Sequence, residues 1–280
     1  MSPPRGAAGR LVVCPTPIGN LEDVTLRVLV ALREADLVAC EDTRRTRTLL
    51  DRHGIRARLV SFHEHNEEAR AVELVGRMRG GSVVALVADA GTPLVADPGY
   101  ALLSAALHAG IAVEVLPGPS AVLTALVASG LPTDRWRFVG FLPRGRDALL
   151  AVVLGADETL VAFESPRRLA ATLELLAEHH PARAVAVCRE LTKLHEEVRR
   201  GSALELARHF AAQPTRGEVV LVVGAAEPAS VDELAREQAV RALEAVVAAG
   251  ARPRAAAAAL AKLTGVSANE LYRGLTREGG

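Results

Sequence analysis

The feature that most constrains the fold is a short apolar run, Val83–Val87, that stops abruptly at A-D-A-G-T-P-L-V-A-D-P-G, residues 88–99. A brief apolar run bounded by turn residues reads as a buried strand. A strand that delivers a carboxylate, a glycine and a hydroxyl at its carboxyl end is how open α/β sheets present a small-molecule site. Gly91 lets a ligand approach the backbone closely, and Pro93 stiffens the chain beyond it. Asp97 is placed to cap the next helix, with Pro98 in its first position. The same residues also make an ordinary turn. By itself the stretch fits a turn as well as a ligand loop.

The rhythm recurs along the chain. Residues 10–14 read as a buried strand, followed by P-T-P-I-G-N-L-E-D (15–23) and an amphipathic helix from about Thr25 to Ala35. A dinucleotide-binding unit would carry G-x-G-x-x-G in that loop. One glycine and two prolines argue against it. Leu37–Cys40 ends in E-D-T-R-R-T-R, where Asp42 or Thr43 can cap a helix and Arg44, Arg45 and Arg47 face solvent or an anionic partner. After a weak strand at 58–62, His63 and His65 could share a strand face as metal ligands, but spacing nominates no third ligand. A polar loop leading into a helix capped by Asn66 is the simpler reading, and no metal is expected. Strand 111–116 runs into P-G-P-S-A (117–121), a helix start whose free amides suit anionic groups and which also fits a hinge.

The strand–helix pattern then restarts. Strands at 137–141, 159–163, 184–188 and 218–223 adjoin the polar loops P-R-G-R (143–146), E-S-P-R-R (164–168), R-E-L-T-K (189–193) and R-G (216–217). Polar strand ends that converge on one crevice are what a site has and unrelated loops lack. Beyond Ala225 the composition changes to helices at about 231–249, 253–263 and 267–276. Arg252, Arg254, Lys262 and Arg273 there suit either a helix–turn–helix contact with nucleic acid or a packing appendage. The expected organisation is an α/β domain over 1–117, a second over 118–225 and a helical extension over 226–280.

Composition narrows the partners. The 280 residues carry 33 basic and 33 acidic side chains, which argues against binding by summed phosphate neutralisation but leaves a local basic face open. All of the basic residues except Lys193 and Lys262 are arginines, whose forked guanidiniums suit phosphate. Only 3% of residues are aromatic, so the cores must be built from Val, Leu and Ala. Cys14, Cys40 and Cys188 lie in apolar runs without C-x-x-C spacing and read as buried, reduced thiols. The opening M-S-P-P-R-G-A-A-G-R has no apolar stretch, so no signal peptide is expected. The uncharged run 115–133 is broken by Pro117, Gly118, Pro119, Gly130 and Pro132, which excludes a membrane span there. A cytoplasmic protein is the expectation.

Taken in order, the motifs resemble the ribosomal RNA small-subunit methyltransferase I family. That family is the branch of the tetrapyrrole-methylase superfamily that methylates a ribose hydroxyl in 16S rRNA. The likeness is carried by P-T-P-I-G-N-L-E-D (15–23), E-D-T-R (41–44), F-H-E-H-N (62–66) and the 88–99 stretch. It continues through L-P-G-P-S-A (116–121), G-F-L-P-R (140–144), F-E-S-P-R-R-L (163–169), R-E-L-T-K (189–193) and R-G-E-V-V-L (216–221). It spans residues 11–224 and, more loosely, the helical tail. Tetrapyrrole methylases open with a glycine-rich loop after the first strand; P-T-P-I-G-N-L in its place favours the RNA branch. Phe163 stands where the family more often has Tyr, and Arg167 where it has His, departures that argue against a required phenol or imidazole at those positions in this chain.

The resemblance implies two α/β domains of the class III methyltransferase type with S-adenosylmethionine in the cleft between them, usually in a homodimer. It also implies a 2′-O-methylated cytidine in the decoding region, made on assembled small ribosomal subunits. The expected cofactor contacts are Asp89, Ala90, Gly91 and Thr92, then Ser120 and Ala121, with Leu191 and Thr192 arriving from the second domain near the adenine. The candidates to accept or polarise the hydroxyl proton are Glu41, Asp42, Glu190 and Lys193; each also fits a structural ion pair. Arg44, Arg144, Arg167 and Arg168 are the candidates to grip RNA phosphates. The rival readings are a methylase acting on a tetrapyrrole or other small molecule, and a non-catalytic RNA-binding assembly factor.

Overall fold

The computed structural model describes residues 9–154, 156–212, 215–226 and 233–277. The first lobe runs β1 (Arg10–Cys14), α1 (Leu26–Glu34), β2 (Leu37–Cys40), α2 (Thr43–Arg52), β3 (Leu59–Ser61), α3 (Glu67–Arg79), β4 (Val83–Val87), α4 (Tyr100–His108) and β5 (Ala112–Val115). Its strands form one sheet in the order β3-β2-β4-β1-β5, with every pairing parallel. The central strands are buried on both faces, as parallel sheets covered by crossover helices require. Leu11, Val13, Leu37, Ala39, Val84 and Leu86 pack with residues of α3 and α4 on one face. Val12, Cys14, Val38, Cys40, Ala85 and Val87 pack with α1 and α2 on the other.

The second lobe contains α5 (Ala121–Ser129), β6 (Trp136–Phe141), α6 (Arg146–Val153), β7 (Thr159–Glu164), α7 (Leu169–His179), β8 (Ala184–Arg189), β9 (Glu197–Ser202), α8 (Ala203–Ala211) and β10 (Val219–Val223). Its sheet has the order β6-β7-β10-β8-β9. Only β6 and β7 are parallel; β10 runs antiparallel to both β7 and β8, and β9 antiparallel to β8. This antiparallel placement of β10 brings its amino end, at Val219, beside the carboxyl ends of β7 and β8, at Glu164 and Arg189. One face of this sheet packs on α6, α7 and α8. The other takes α5 together with Ile18 from the first lobe and Leu191.

Local chemistry sets the helix ends. Thr25, Asp42 and Ser120 accept hydrogen bonds from backbone amides in the first turns of α1, α2 and α5, and Ser202 with Glu205 forms a capping box on α8. Two expected caps differ. Helix α4 starts at Tyr100 behind Gly99 at φ 138°, so neither Asp97 nor Pro98 is part of it. Asn66 flanks α3 without capping it, because its Oδ1 accepts from the His63 amide instead.

Up to Ala225 the chain is one compact unit, and a second begins at Ala226. That second unit contains α9 (Glu233–Ala248), α10 (Pro253–Thr264) and α11 (Ala268–Arg277), closed on Ala239, Leu243, Ala257, Val266 and Leu271. The Arg254 guanidinium lies 5.7 Å over the Tyr272 ring, so this arginine is engaged within the unit. Among the described residues, no helix is long and apolar enough to cross a membrane.

All three cysteines are buried free thiols. Burial, reinforced by Glu114, pushes the Cys14 thiol up to about 12. Burial, helped by Glu196 and opposed by Arg200, pushes Cys188 up to about 11. Burial also raises Cys40. Thiolate is the reactive species, so the folded protein should not react with a disulfide reagent at about pH 8, whereas the denatured chain should titrate all of its thiols. Rapid reaction of one thiol in the native state would contradict this placement.

Candidate functional site

The site begins where β1 and β4, neighbours in the sheet, release their chains. Thr16 and Gly91 exchange two backbone hydrogen bonds, each 2.9 Å, and the Thr16 hydroxyl donates to the Ala88 carbonyl at 3.0 Å. Gly91 has φ 77°, a left-handed conformation that favours glycine at the bridge, while an added Cβ would make only ordinary contact with the Ile18 side chain at 3.4 Å. The Thr92 hydroxyl donates to the Pro119 carbonyl, which ties this loop to the start of α5. Farther along, Leu94 and Ala96 hold positive φ angles of 71° and 61°. Such backbone costs about 1–3 kcal/mol per residue and persists where surrounding structure enforces it.

These loops and the second lobe enclose a cavity of about 450 Å³. Ile18, Ala90–Thr92 and Val95–Asp97 form the wall from the first lobe, and Ser120–Val122 come from the turn into α5. Phe141, Phe163–Pro166 and Gly217–Val220 form the opposite wall. The rings of Phe138 and Phe141 meet Phe163 edge to face at 5.0 and 5.4 Å. A second hollow of about 310 Å³ adjoins the first through Ile18, Ala90 and Glu218, and is further lined by Thr16, Arg45, Thr48, Asp89 and Lys193.

Ala90, Gly91, Thr92, Ser120 and Ala121 therefore lie together on the larger cavity. Asp89 does not: its carboxylate faces the smaller hollow, where Oδ1 accepts from the Asp42 amide at 2.9 Å and Oδ2 lies 3.6 Å from Arg45. Leu191 and Thr192 line neither space. Leu191 is core beneath Ile18, and Thr192, at φ 65°, uses its hydroxyl to accept from the Asn20 amide at 2.9 Å, which joins the two lobes.

The proposed proton acceptors sort by their partners. Lys193 Nζ lies 2.8 Å from Glu190 and 3.0 Å from Glu218. Burial acts to lower the Lys193 pKa, but its bonds to Glu190 and Glu218 outweigh that and raise it, so this lysine stays cationic. Glu190 is held below the usual carboxylate range, chiefly by the Lys193 hydrogen bond. Asp42 is likewise lowered, by its hydrogen bonds from Arg44, and serves as the cap of α2. Glu41 has no hydrogen-bond or ion-pair partner among the described residues.

The arginines divide in the same way. Arg168 is a brace: it donates to the carbonyls of Leu142 and Pro143 at 3.1 and 2.6 Å and lies 3.4 Å from buried Glu164. Expected to meet phosphate, it is instead occupied in holding the β6 and β7 loops together. Arg144 and Arg167 are exposed and lack a partner among the described residues. Arg44 pairs with Asp42 at 3.1 Å and borders a separate open hollow with Thr43, Arg47 and Leu59.

Sequence reasoning nominated none of Val95, Ala96, Phe141, Phe163 and Glu218–Val220, and gave Glu164–Pro166 and Gly217 only as parts of polar strand ends able to converge on a crevice. The signal for the last group was the R-G pair before β10, but its meaning required knowing that β10 runs backwards relative to β7.

With this geometry in place, the chain belongs to the tetrapyrrole (corrin/porphyrin) methylases, whose family model matches residues 10–207. Within that class it is 48% identical to the ribosomal RNA small subunit methyltransferase I of Mesorhizobium japonicum, across 98% of this chain and 93% of the relative. Among solved structures it resembles the uroporphyrin-III-C-methyltransferase of Thermus thermophilus, with a TM-score of 0.57 and 26% identity over 78% of this chain and 94% of that one. A structure titled as a uroporphyrin-III C-methyltransferase of Thermus thermophilus complexed with S-adenosylhomocysteine shares the fold at a TM-score of 0.55 and 22% identity, over 77% of this chain and 97% of that one.

The contact between the lobes makes a steric prediction. A Cβ on Gly19 would stand 2.5 Å from the Lys193 side chain, 2.6 Å from the Thr192 hydroxyl and 2.9 Å from the Leu191 carbonyl. Gly19→Ala should therefore destabilise the protein by about 1–3 kcal/mol in denaturant unfolding. Gly76→Ala, inside α3 with open space around it, should stabilise by about 0.5–1 kcal/mol. Equal effects of the two substitutions would contradict the packed contact.

Proposed function

We propose that the chain transfers a methyl group from S-adenosylmethionine to a ribose 2′-hydroxyl of small-subunit ribosomal RNA, at a cytidine of the decoding region, acting as a homodimer in the cytoplasm. The single observation that carries this reading is the shared cavity, walled by loops of both lobes, with a polar hollow opening beside it. The cavity fits an adenosyl sulfonium. Phe141 and Phe163 offer an aromatic wall for a purine, Gly91 and Gly217 let a ligand approach the backbone, and the charged lining is acidic. Relatives named as small-subunit rRNA methyltransferase I support the RNA substrate. Exposed apolar side chains on β5 and α5 (Val115, Leu123 and Val127) support a partner copy.

The donor supplies a methyl group on a positively charged sulfur. The chain's part is to hold acceptor and donor in line, and positioning of this kind can contribute about 7–11 kcal/mol. Thr92, Ser120 and the backbone of Ala90 and Gly91 fix one side of the donor, and Phe163–Pro166 and Gly217–Val220 the other. Apolar walls exclude water. Because charge disappears as an oxyanion meets a sulfonium, low polarity favours the transfer. The ribose enters through the smaller hollow, past Arg45 and cationic Lys193. Glu41 is the acceptor candidate whose carboxylate remains unengaged.

A tritiated-methyl assay with assembled small subunits, free rRNA and a porphyrinogen side by side tests the reading. Label is expected in the rRNA of assembled subunits, at a nuclease-resistant 2′-O position. Label in the porphyrinogen would support a small-molecule methylase, and none in any substrate a non-catalytic RNA binder. The double substitution Arg144→Ala/Arg167→Ala should leave donor affinity unchanged and reduce the salt dependence of subunit binding by about one to two in log–log slope. A matching loss of donor affinity would place these arginines at the cofactor instead.

A further inference from the structure

The larger cavity has three acidic side chains on its wall, Asp97, Glu164 and Glu218, and no basic one. Two of them are compensated. Glu164 accepts from the Ser165 amide and the Thr172 hydroxyl, each at 2.6 Å, and lies beside Arg168. Glu218 pairs with Lys193. Asp97 has neither a basic partner nor a hydrogen-bond donor among the described residues. The charged groups that act on it through space are Glu41, after β2, and Asp89, after β4, both of its own sign; of these only Asp89 is paired, with Arg45. Burial first, then Glu41 and Asp89, push the Asp97 carboxyl up to about 6.

Asp97 caps no helix, and the loop that presents it holds Leu94 and Ala96 in the left-handed region. An unpaired carboxylate among like charges destabilises the ligand-free protein and becomes an attraction only when a cation arrives. The methyl donor and its thioether product share the adenosine, the carboxylate and the ammonium. They differ in the methyl group and in the charge on sulfur.

We propose that Asp97 is a specificity residue that reads the positive charge on the sulfur, so that the cavity favours the methyl donor over the neutral product and releases the product once the charge is gone. The inference rests on the proposed function, in which S-adenosylmethionine occupies this cavity.

Calorimetric titration of the full chain with S-adenosylmethionine and with S-adenosylhomocysteine, for wild type and Asp97→Asn, tests it. At about pH 7.5 the variant should lose roughly tenfold in donor affinity and less than about threefold in product affinity. Donor affinity of the wild type should fall as pH drops through about 6, where the carboxyl takes up its proton, and that of the variant should not. Equal losses for the two ligands, or none, would overturn the inference while leaving the cofactor reading intact. A wild type that binds neither ligand would sink both.

A second readout needs no ligand. A carboxyl raised in the folded state destabilises that state once the pH exceeds its unfolded value, with the full penalty present above the folded one. Asp97→Asn should therefore raise the Tm of the free protein at about pH 7.5, and by less at about pH 5. A Tm that is lowered, or unchanged at both pH values, would show that the carboxylate has a partner after all.

Discussion

The pair of hydrogen bonds between Thr16 and Gly91 is the constraint on which the rest of the site depends. Two neighbouring parallel strands end side by side, and their chains must leave in different directions. Bridging the two exits fixes Ile18 and Asn20 on one side, and Ala90 and Thr92 on the other. Ile18 can then enter the apolar face of the second sheet, and Asn20 can reach the Thr192 hydroxyl. The Asn20–Thr192 hydrogen bond, Ile18 in the apolar face of the second sheet and the Thr92–Pro119 hydrogen bond together hold the walls of the cavity toward each other.

Charge in the cleft is divided consistently. Cations around the two hollows are matched locally: Lys193 with Glu190 and Glu218, Arg45 with Asp89, Arg168 with Glu164. These pairs tie loops together at the junction of the lobes, where Lys193, Glu190, Asp89, Arg168 and Glu164 are partly or fully removed from water. Glu190 also constrains Gly217, because an added Cβ would come within 2.4 Å of its carboxylate oxygen. The exposed guanidiniums of Arg144 and Arg167 are not among the residues that line the cavity.

Much of this was legible in the sequence. Buried strands end in Gly-, Pro- and Asp-containing loops, and apolar run length together with helix caps located nearly every element. The loop at Ala90–Thr92, read as the end of a buried strand, and the helix start at Ser120, read from its capping residue and free amides, do line one cavity. Three things were hidden. The antiparallel direction of β10 cannot be read from E-V-V-L-V-V, since a strand buried on both faces has no directional pattern, and so Glu218–Val220 were missed. Asp89 and Thr192 carry the groups expected of ligand contacts, yet each commits them to a backbone amide of another loop. Arg168 differs from Arg167 only in which way the chain turns after β7, which composition does not encode.

Hydrogen–deuterium exchange with and without S-adenosylhomocysteine tests the central claim, that one cavity is built jointly by the two lobes. Binding should slow exchange together in residues 90–97 and in residues 217–220, segments far apart in sequence that face each other across the cavity. Slowing confined to one of these segments, with the other unchanged at saturation, would contradict a shared site.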